Sequence, residues 1–225
     1  MPTHEAGAGE ALIQAFTGGV FAENCYLVRC ARTGAAILVD PGAATDQMLA
    51  AARAADARVE AIVLTHAHLD HVEGLAAARR ATGAPILLHA ADDQLYAAAP
   101  VQAQWFGMEL EPLPPVDGRL EAGGEVRFGE CTLRIRHAPG HAPGHVILVG
   151  DGFAMVGDVI FLGSIGRTDL PGGDLPTLMR SIRTEILPLP DETVLYNGHG
   201  PETTVGHERR SNPFITGVYG GSSFA

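Results

Sequence analysis

Lysine is absent from this chain of 225 residues: all 15 basic residues are arginines, set against 26 acidic residues for a formal net charge of -11. A uniformly acidic surface repels a phosphate backbone, which disfavours nucleic acid as a partner. Cysteine is scarce too. Cys25, Cys30 and Cys131 are odd in number and lack C-x-x-C spacing, so they form neither a disulfide framework nor a thiolate zinc knuckle and read as buried free thiols. Aromatic residues make up only 6% of the chain, and the single tryptophan, Trp105, stands beside Phe106. That pair either lines a substrate pocket or seals the core, the second being the ordinary fate of such residues. No apolar run reaches membrane-spanning length, and the opening MPTHEAGAGEALIQAF has acids and glycines where an export signal has a basic start and an apolar run. The expectation is a cytoplasmic protein with no membrane contact.

Hydrophobic residues amount to 46% of the chain, enough for a sizeable core, and with no linker or repeat in view residues 1–225 read as one domain. Short apolar runs alternate with Ala-rich stretches, and Gly or Pro marks nearly every junction. Strands are expected at Tyr26 to Arg29, Ala36 to Val39, Val59 to Leu64 and Ile86 to Leu88, with helices at Ala43 to Ala55, Val72 to Ala81 and Ala91 to Ala98. A looser segment from Pro100 to Gly124 separates these from strands at Glu125 to Phe128, Thr132 to His137, Val146 to Val149 and Ala154 to Val156. A helix at Leu175 to Leu187, a strand at Thr193 to Tyr196 and a helix at Thr204 to Ser211 complete the pattern. Two β-rich halves flanked by helices point to an α/β protein, with two sheets packed face to face and helices outside.

The chemistry concentrates in Thr65-His66-Ala67-His68-Leu69-Asp70-His71, where the apolar strand Val59 to Leu64 ends. In extended backbone residues two apart share a side, so His66, His68 and Asp70 converge while His71 turns in from the next position. Three further candidates also follow predicted strands: His141 between two Pro-Gly pairs, Asp158 after Val156-Gly157, and His199 in Gly198-His199-Gly200-Pro201. His137 and His145 read as packing residues or outer supports of ligands, and His4, His89 and His207 as surface or capping histidines. Five histidines and two aspartates without a thiolate suit zinc, iron or manganese, and seven ligands exceed one tetrahedral ion and fit two.

These motifs, with Asn24-Cys25-Tyr26-Leu27-Val28, Val39-Asp40-Pro41-Gly42 and Gly206-His207-Glu208-Arg209-Arg210-Ser211-Asn212-Pro213-Phe214, resemble the metallo-β-lactamase fold family, and within it the short glyoxalase II-like (hydroxyacylglutathione hydrolase) group. The resemblance implies a four-layer αββα sandwich of two mixed sheets. It assigns one metal to His66, His68 and His141, a second to Asp70, His71 and His199, and a bridge to Asp158. The implied cofactor is a pair of divalent ions, zinc foremost, with iron or manganese accepted by the same ligands. Two such ions about 3.5–4 Å apart share a water and lower its pKa, and the implied reaction is hydrolysis of a small-molecule thioester such as S-lactoylglutathione by that activated water. Asp70 would also orient the nucleophile. Asp40 either orients a ligand histidine or caps the following helix.

The chain departs from the longer members of that group. No C-terminal helical glutathione-binding domain is expected, the chain reads Gly200-Pro201-Glu202 where those members read Glu-Tyr-Thr, and it has none of their lysines. Arg167, in Gly166-Arg167-Thr168-Asp169, either anchors an anion or pairs with Asp169 or Asp174. Many β-lactamases of this fold use a cysteine ligand, and none is placed for it here, which argues against a β-lactam substrate. A persulfide dioxygenase with one non-haem iron, which resembles the same pattern, is the competing reading, followed by other ester or lactone hydrolases.

Overall fold

A computed structural model describes residues 10–217. In the first half, β1 (Ala11–Gly18), β2 (Glu23–Cys30) and β3 (Ala35–Val39) precede α1 (Thr45–Ala54), β4 (Arg58–Val63), α2 (Leu69–Val72), α3 (Leu75–Thr82), β5 (Ile86–Leu88), α4 (Asp93–Trp105) and β6 (Gly118–Arg119). The second half holds β7 (Glu125–Phe128), β8 (Cys131–His137), β9 (Val146–Val149), β10 (Phe153–Gly157), β11 (Ile160–Phe161), β12 (Ser164–Ile165), α5 (Leu175–Ser181), β13 (Val194–Asn197), β14 (Thr203–Thr204) and α6 (Val205–Ser211). One sheet runs in the order β1-β2-β3-β4-β5-β6 and the other β14-β13-β10-β9-β8-β7, with β11 and β12 as a separate hairpin. Both sheets are mixed: β3, β4, β5 and β6 pair in parallel and so do β10 and β13, while the other pairs are antiparallel.

The strands explain the layering. In β3 every residue is buried, because alternate side chains enter different cores. Ala36 and Leu38 join Met48, Leu49, Leu75 and Leu95 of the covering helices, whereas Ile37 and Val39 face Phe128, Leu133 and Leu148 of the opposite sheet. In β10 the same division sends Met155 between the sheets and Ala154 and Val156 onto Leu178, Ile182 and Ile186 on the outer face. The result is the expected αββα sandwich of three stacked cores.

Several expectations shift. The strand β1 was not anticipated: it pairs with β2 along its whole length as an edge strand with little buried surface. The helix expected over Val72 to Ala81 is two pieces, divided at Gly74, where a Cβ would collide with Thr45 and the Gly42 carbonyl. α4 does not stop before Pro100 but continues five residues past it to Trp105, with Pro100 on the solvent side and Ala99 and Ala103 packed on the core. Ser181 passes into a π turn over Ile182–Ile186, so the helix expected over Leu175 to Leu187 is continuous but not uniform. All three cysteines are buried and none forms a disulfide, and His4 lies outside the described residues.

Candidate metal centre

The ends of β4, β8, β10 and β13 open onto the same edge of the sandwich, and each carries candidate ligands just beyond it. The two sheets are tied together there. Val146 N–H donates to the Thr65 carbonyl (2.8 Å), Asn24 N–H to the Gly198 carbonyl (2.8 Å) and the Tyr26 hydroxyl to the Asn197 carbonyl (2.6 Å). A Cβ on Gly198 would collide with Asp158 Oδ1, so only glycine allows the His199 loop to close over that carboxylate.

All seven residues singled out in the sequence meet at this edge. His66, His68 and His141 form one group whose ligand atoms lie within 4.8 Å of one another, and Asp70, His71 and His199 form a second. In the first, His141 Nε2 is 2.8 Å from His68 Nδ1 and 3.2 Å from His66 Nε2. In the second, His199 Nε2 is 3.2 Å from Asp70 Oδ2, and His71 Nε2 is 3.8 Å from the same oxygen. Asp158 lies between the groups, with Oδ1 3.3 Å from His71 Nε2 and Oδ2 3.5 Å from His141 Nε2 and 3.3 Å from His199 Nε2.

Outer contacts aim these rings. His71 Nδ1–H donates to Asp40 Oδ2 (3.1 Å), His141 Nδ1–H to the Arg167 carbonyl (2.8 Å) and His199 Nδ1–H to the Phe21 carbonyl (3.0 Å). Asp40 also accepts the Thr65 N–H and hydroxyl, each at 2.6 Å, which settles its role as an orienting residue. It caps no helix, since α1 begins after Ala44 without a side-chain cap. His145 is fully buried, stacks on His66 at 4.7 Å and accepts the Asp158 N–H (3.0 Å). His89 caps the turn at Ala91 and His137 meets the Pro143 carbonyl, both away from the centre.

Burial, reinforced by neighbouring imidazoles, holds His66 well below the ordinary histidine range and His68 at about 3; it also lowers His141, so these rings are neutral lone-pair donors. On the other side burial is outweighed by carboxylates: Asp158 and Asp70 raise His71, and hold His199 at about 10. Asp70 and Asp158 are themselves lowered despite burial, because His71 and its neighbours favour their ionised forms. Ionised carboxylates that favour the protonated form of His71 and His199 would also attract a divalent cation. His71 Nε2 and Asp158 Oδ1 are also buried without a hydrogen-bond partner, the condition of atoms built to coordinate. By donor type and arrangement the residues fit metal ions.

The profile of the metallo-beta-lactamase superfamily matches residues 18–199. This chain belongs to that superfamily. Hydroxyacylglutathione hydrolase GloC of Haemophilus influenzae is 38% identical over 204 residues, spanning 87% of this chain and 93% of its own. Among solved structures, TTHA1623 in a di-iron-bound form is 40% identical, with a TM-score of 0.81 over 89% of this chain and 99% of its own. The BLEG-1 B3 metallo-beta-lactamase is 33% identical, with a TM-score of 0.82 over 91% of this chain and 100% of its own.

Two buried acids went unread in the sequence. Asp92 accepts the Ala67 N–H (3.0 Å) and the Gly144 N–H (2.5 Å), tying the His66–His68 loop to the loop after His141. Glu23 lies 3.9 Å from His71 Nδ1 with both oxygens buried and unpartnered; burial raises its carboxyl well above the usual range. Above the floor opens a cleft of 380 Å³ whose wall includes Trp105 and Phe106, so the pair expected to seal the core lies at the mouth. Arg167 pairs with Asp169 at 2.7 and 2.8 Å.

Proposed function

We propose that this protein is a binuclear metal-dependent hydrolase of a small thioester, with S-lactoylglutathione as the reference compound and a hydroxy acid and a free thiol as products. The observation that carries this reading is the pair of ligand groups joined by Asp158 at the base of an open cleft. His66, His68 and His141 would hold one ion, Asp70, His71 and His199 the other, and Asp158 both. The kinship with GloC supports the thioester, and zinc is the proposed metal, with iron the nearest competitor in view of the di-iron TTHA1623 structure. Bound there, the ions would supply Lewis-acid chemistry, lowering the pKa of a nearby water and stabilising negative charge on a carbonyl oxygen.

The chain's own groups do the rest. Asp70, lowered into its ionised form, accepts a hydrogen bond from the attacking water and holds it on the cleft side of the floor. Asp40, Thr65 and the Phe21 and Arg167 carbonyls keep His66, His71, His141 and His199 from rotating away. A thioester suits this site, because the departing thiolate is stable without a proton from a general acid. Three buried cysteines outside any disulfide support a reducing, cytoplasmic setting.

The test is thiol release from S-lactoylglutathione by metal-loaded protein, run beside oxygen uptake on glutathione persulfide. Metal-dependent thiol release without oxygen uptake is expected. Oxygen uptake without thiol release would replace the hydrolase with a persulfide dioxygenase.

A further inference from the structure

The mouth of the cleft is built from aromatic rings contributed by three separate segments. Trp105 and Phe106 at the end of α4 are 68% and 58% exposed. Phe21, from the loop between β1 and β2, meets Phe106 edge to face at 5.0 Å, and Phe161 of β11 stands 5.8 Å from the His199 ring. Large apolar side chains left in water around a concave site are the mark of a surface that an apolar ligand covers.

Charge points the same way. Apart from the histidines, Arg167 is the only basic residue among the described residues lining the cleft, and its Nε and Nη2 are engaged by Asp169. The chain has no lysine to replace it. Glutathione carries two carboxylates, and an anionic arm would meet aromatic carbon at this mouth. Gln102, one turn before Phe106 on α4, offers a neutral amide instead.

We propose that the cleft selects its substrate through an uncharged apolar arm, aromatic or branched aliphatic, laid against Trp105, Phe106 and Phe21 while the thioester carbonyl reaches the floor. The inference rests on the thioester reading for the reaction and on the aromatic mouth alone for the arm. The arm belongs to either the acyl or the thiol half of the ester, and the chemistry that recognises it is the same.

Trp105 is the only tryptophan, so its fluorescence reports occupancy of the mouth without any turnover. Uncleavable thioethers serve as probes: S-benzyl-N-acetylcysteine carries an apolar arm and S-methylglutathione a charged one. The benzyl compound is expected to bind at least about tenfold more tightly, and Phe106→Ala, which retains the reporter, to erase the difference. In turnover, S-phenylacetylglutathione or S-benzyl thiolactate should exceed S-lactoylglutathione in kcat/KM by about tenfold, and which of them does so locates the arm. Equal binding of the two thioethers, a preference untouched by Phe106→Ala, or S-lactoylglutathione as the best of the three esters would overturn the proposal. If none of the esters is cleaved while the benzyl thioether still binds at Trp105, the thioester reaction fails and the apolar arm stands.

Discussion

The floor of the cleft is buried and hydrogen-bonded, whereas its mouth is exposed and apolar. His66, His71 and His145 are fully buried, and Asp40, Thr65 and backbone carbonyls hold the rings of the candidate ligands in place; at the mouth Trp105 and Phe106 are more than half exposed. A group in the floor cannot be altered without leaving a buried donor or acceptor unsatisfied, so the floor fixes the type of reaction. Rings at the mouth can be exchanged at small cost to the fold, and that is where the proposed choice between substrates resides.

The sharpest way to break this contrast is His68→Ala. Loss of one of three closely spaced nitrogens should lower metal-dependent turnover by more than about 10²-fold, beyond the effect of removing an outer partner alone, in a protein that remains folded by circular dichroism. Normal turnover would remove His68 from the centre. Asp92→Ala attacks the floor from below by stripping the Ala67 and Gly144 N–H groups of their acceptor; a loss of about 1–3 kcal/mol for each donor is expected in denaturant unfolding. A loss under half of that would show that water takes its place.

Asp40→Asn is a finer change. It sets an amide before the Thr65 and His71 donors, and metal affinity measured by chelator competition should fall about 10- to 100-fold. Smallest is a pH effect. Burial, opposed by the Gly144 and Ala67 N–H groups, raises the Asp92 carboxyl from 3.8 to about 6. The folded protein therefore binds this proton more tightly than the unfolded chain, so the contribution of Asp92 to stability is fully present below pH 4 and declines as pH rises to about 6. Unfolding of Asp92→Asn across that window should show a shallower fall, and an unchanged slope would assign the effect elsewhere.

The legibility of the two regions differs in the same way. His66, His68, Asp70 and His71 are contiguous, and the apolar strand before them places them at a strand end, so local pattern suffices. His141, Asp158 and His199 are single residues whose Gly- and Pro-held loops suggest rigidity, and the family resemblance gives them a shared role. The αββα layering was legible because β3, β10 and residues 61–63 at the end of β4 are apolar on both faces. Asp92 and Glu23 were not, since their burial depends on partners such as Ala67, Gly144 and His71 that are distant in sequence. For Trp105 and Phe106 the sequence left the pocket and the core both open, because they fall in the loose segment after Pro100, whereas α4 runs on and carries them to the cleft. The two-residue strands β6, β11, β12 and β14 exist only through their pairing partners and leave no local trace.

The central claim is that Asp158 joins two metal seats in one floor. Elemental analysis of metal per folded chain, in the wild-type protein and in Asp158→Ala, tests it most directly. The account predicts about two ions per chain, falling toward one in the variant; a single ion in the wild type with the same content in Asp158→Ala would contradict it.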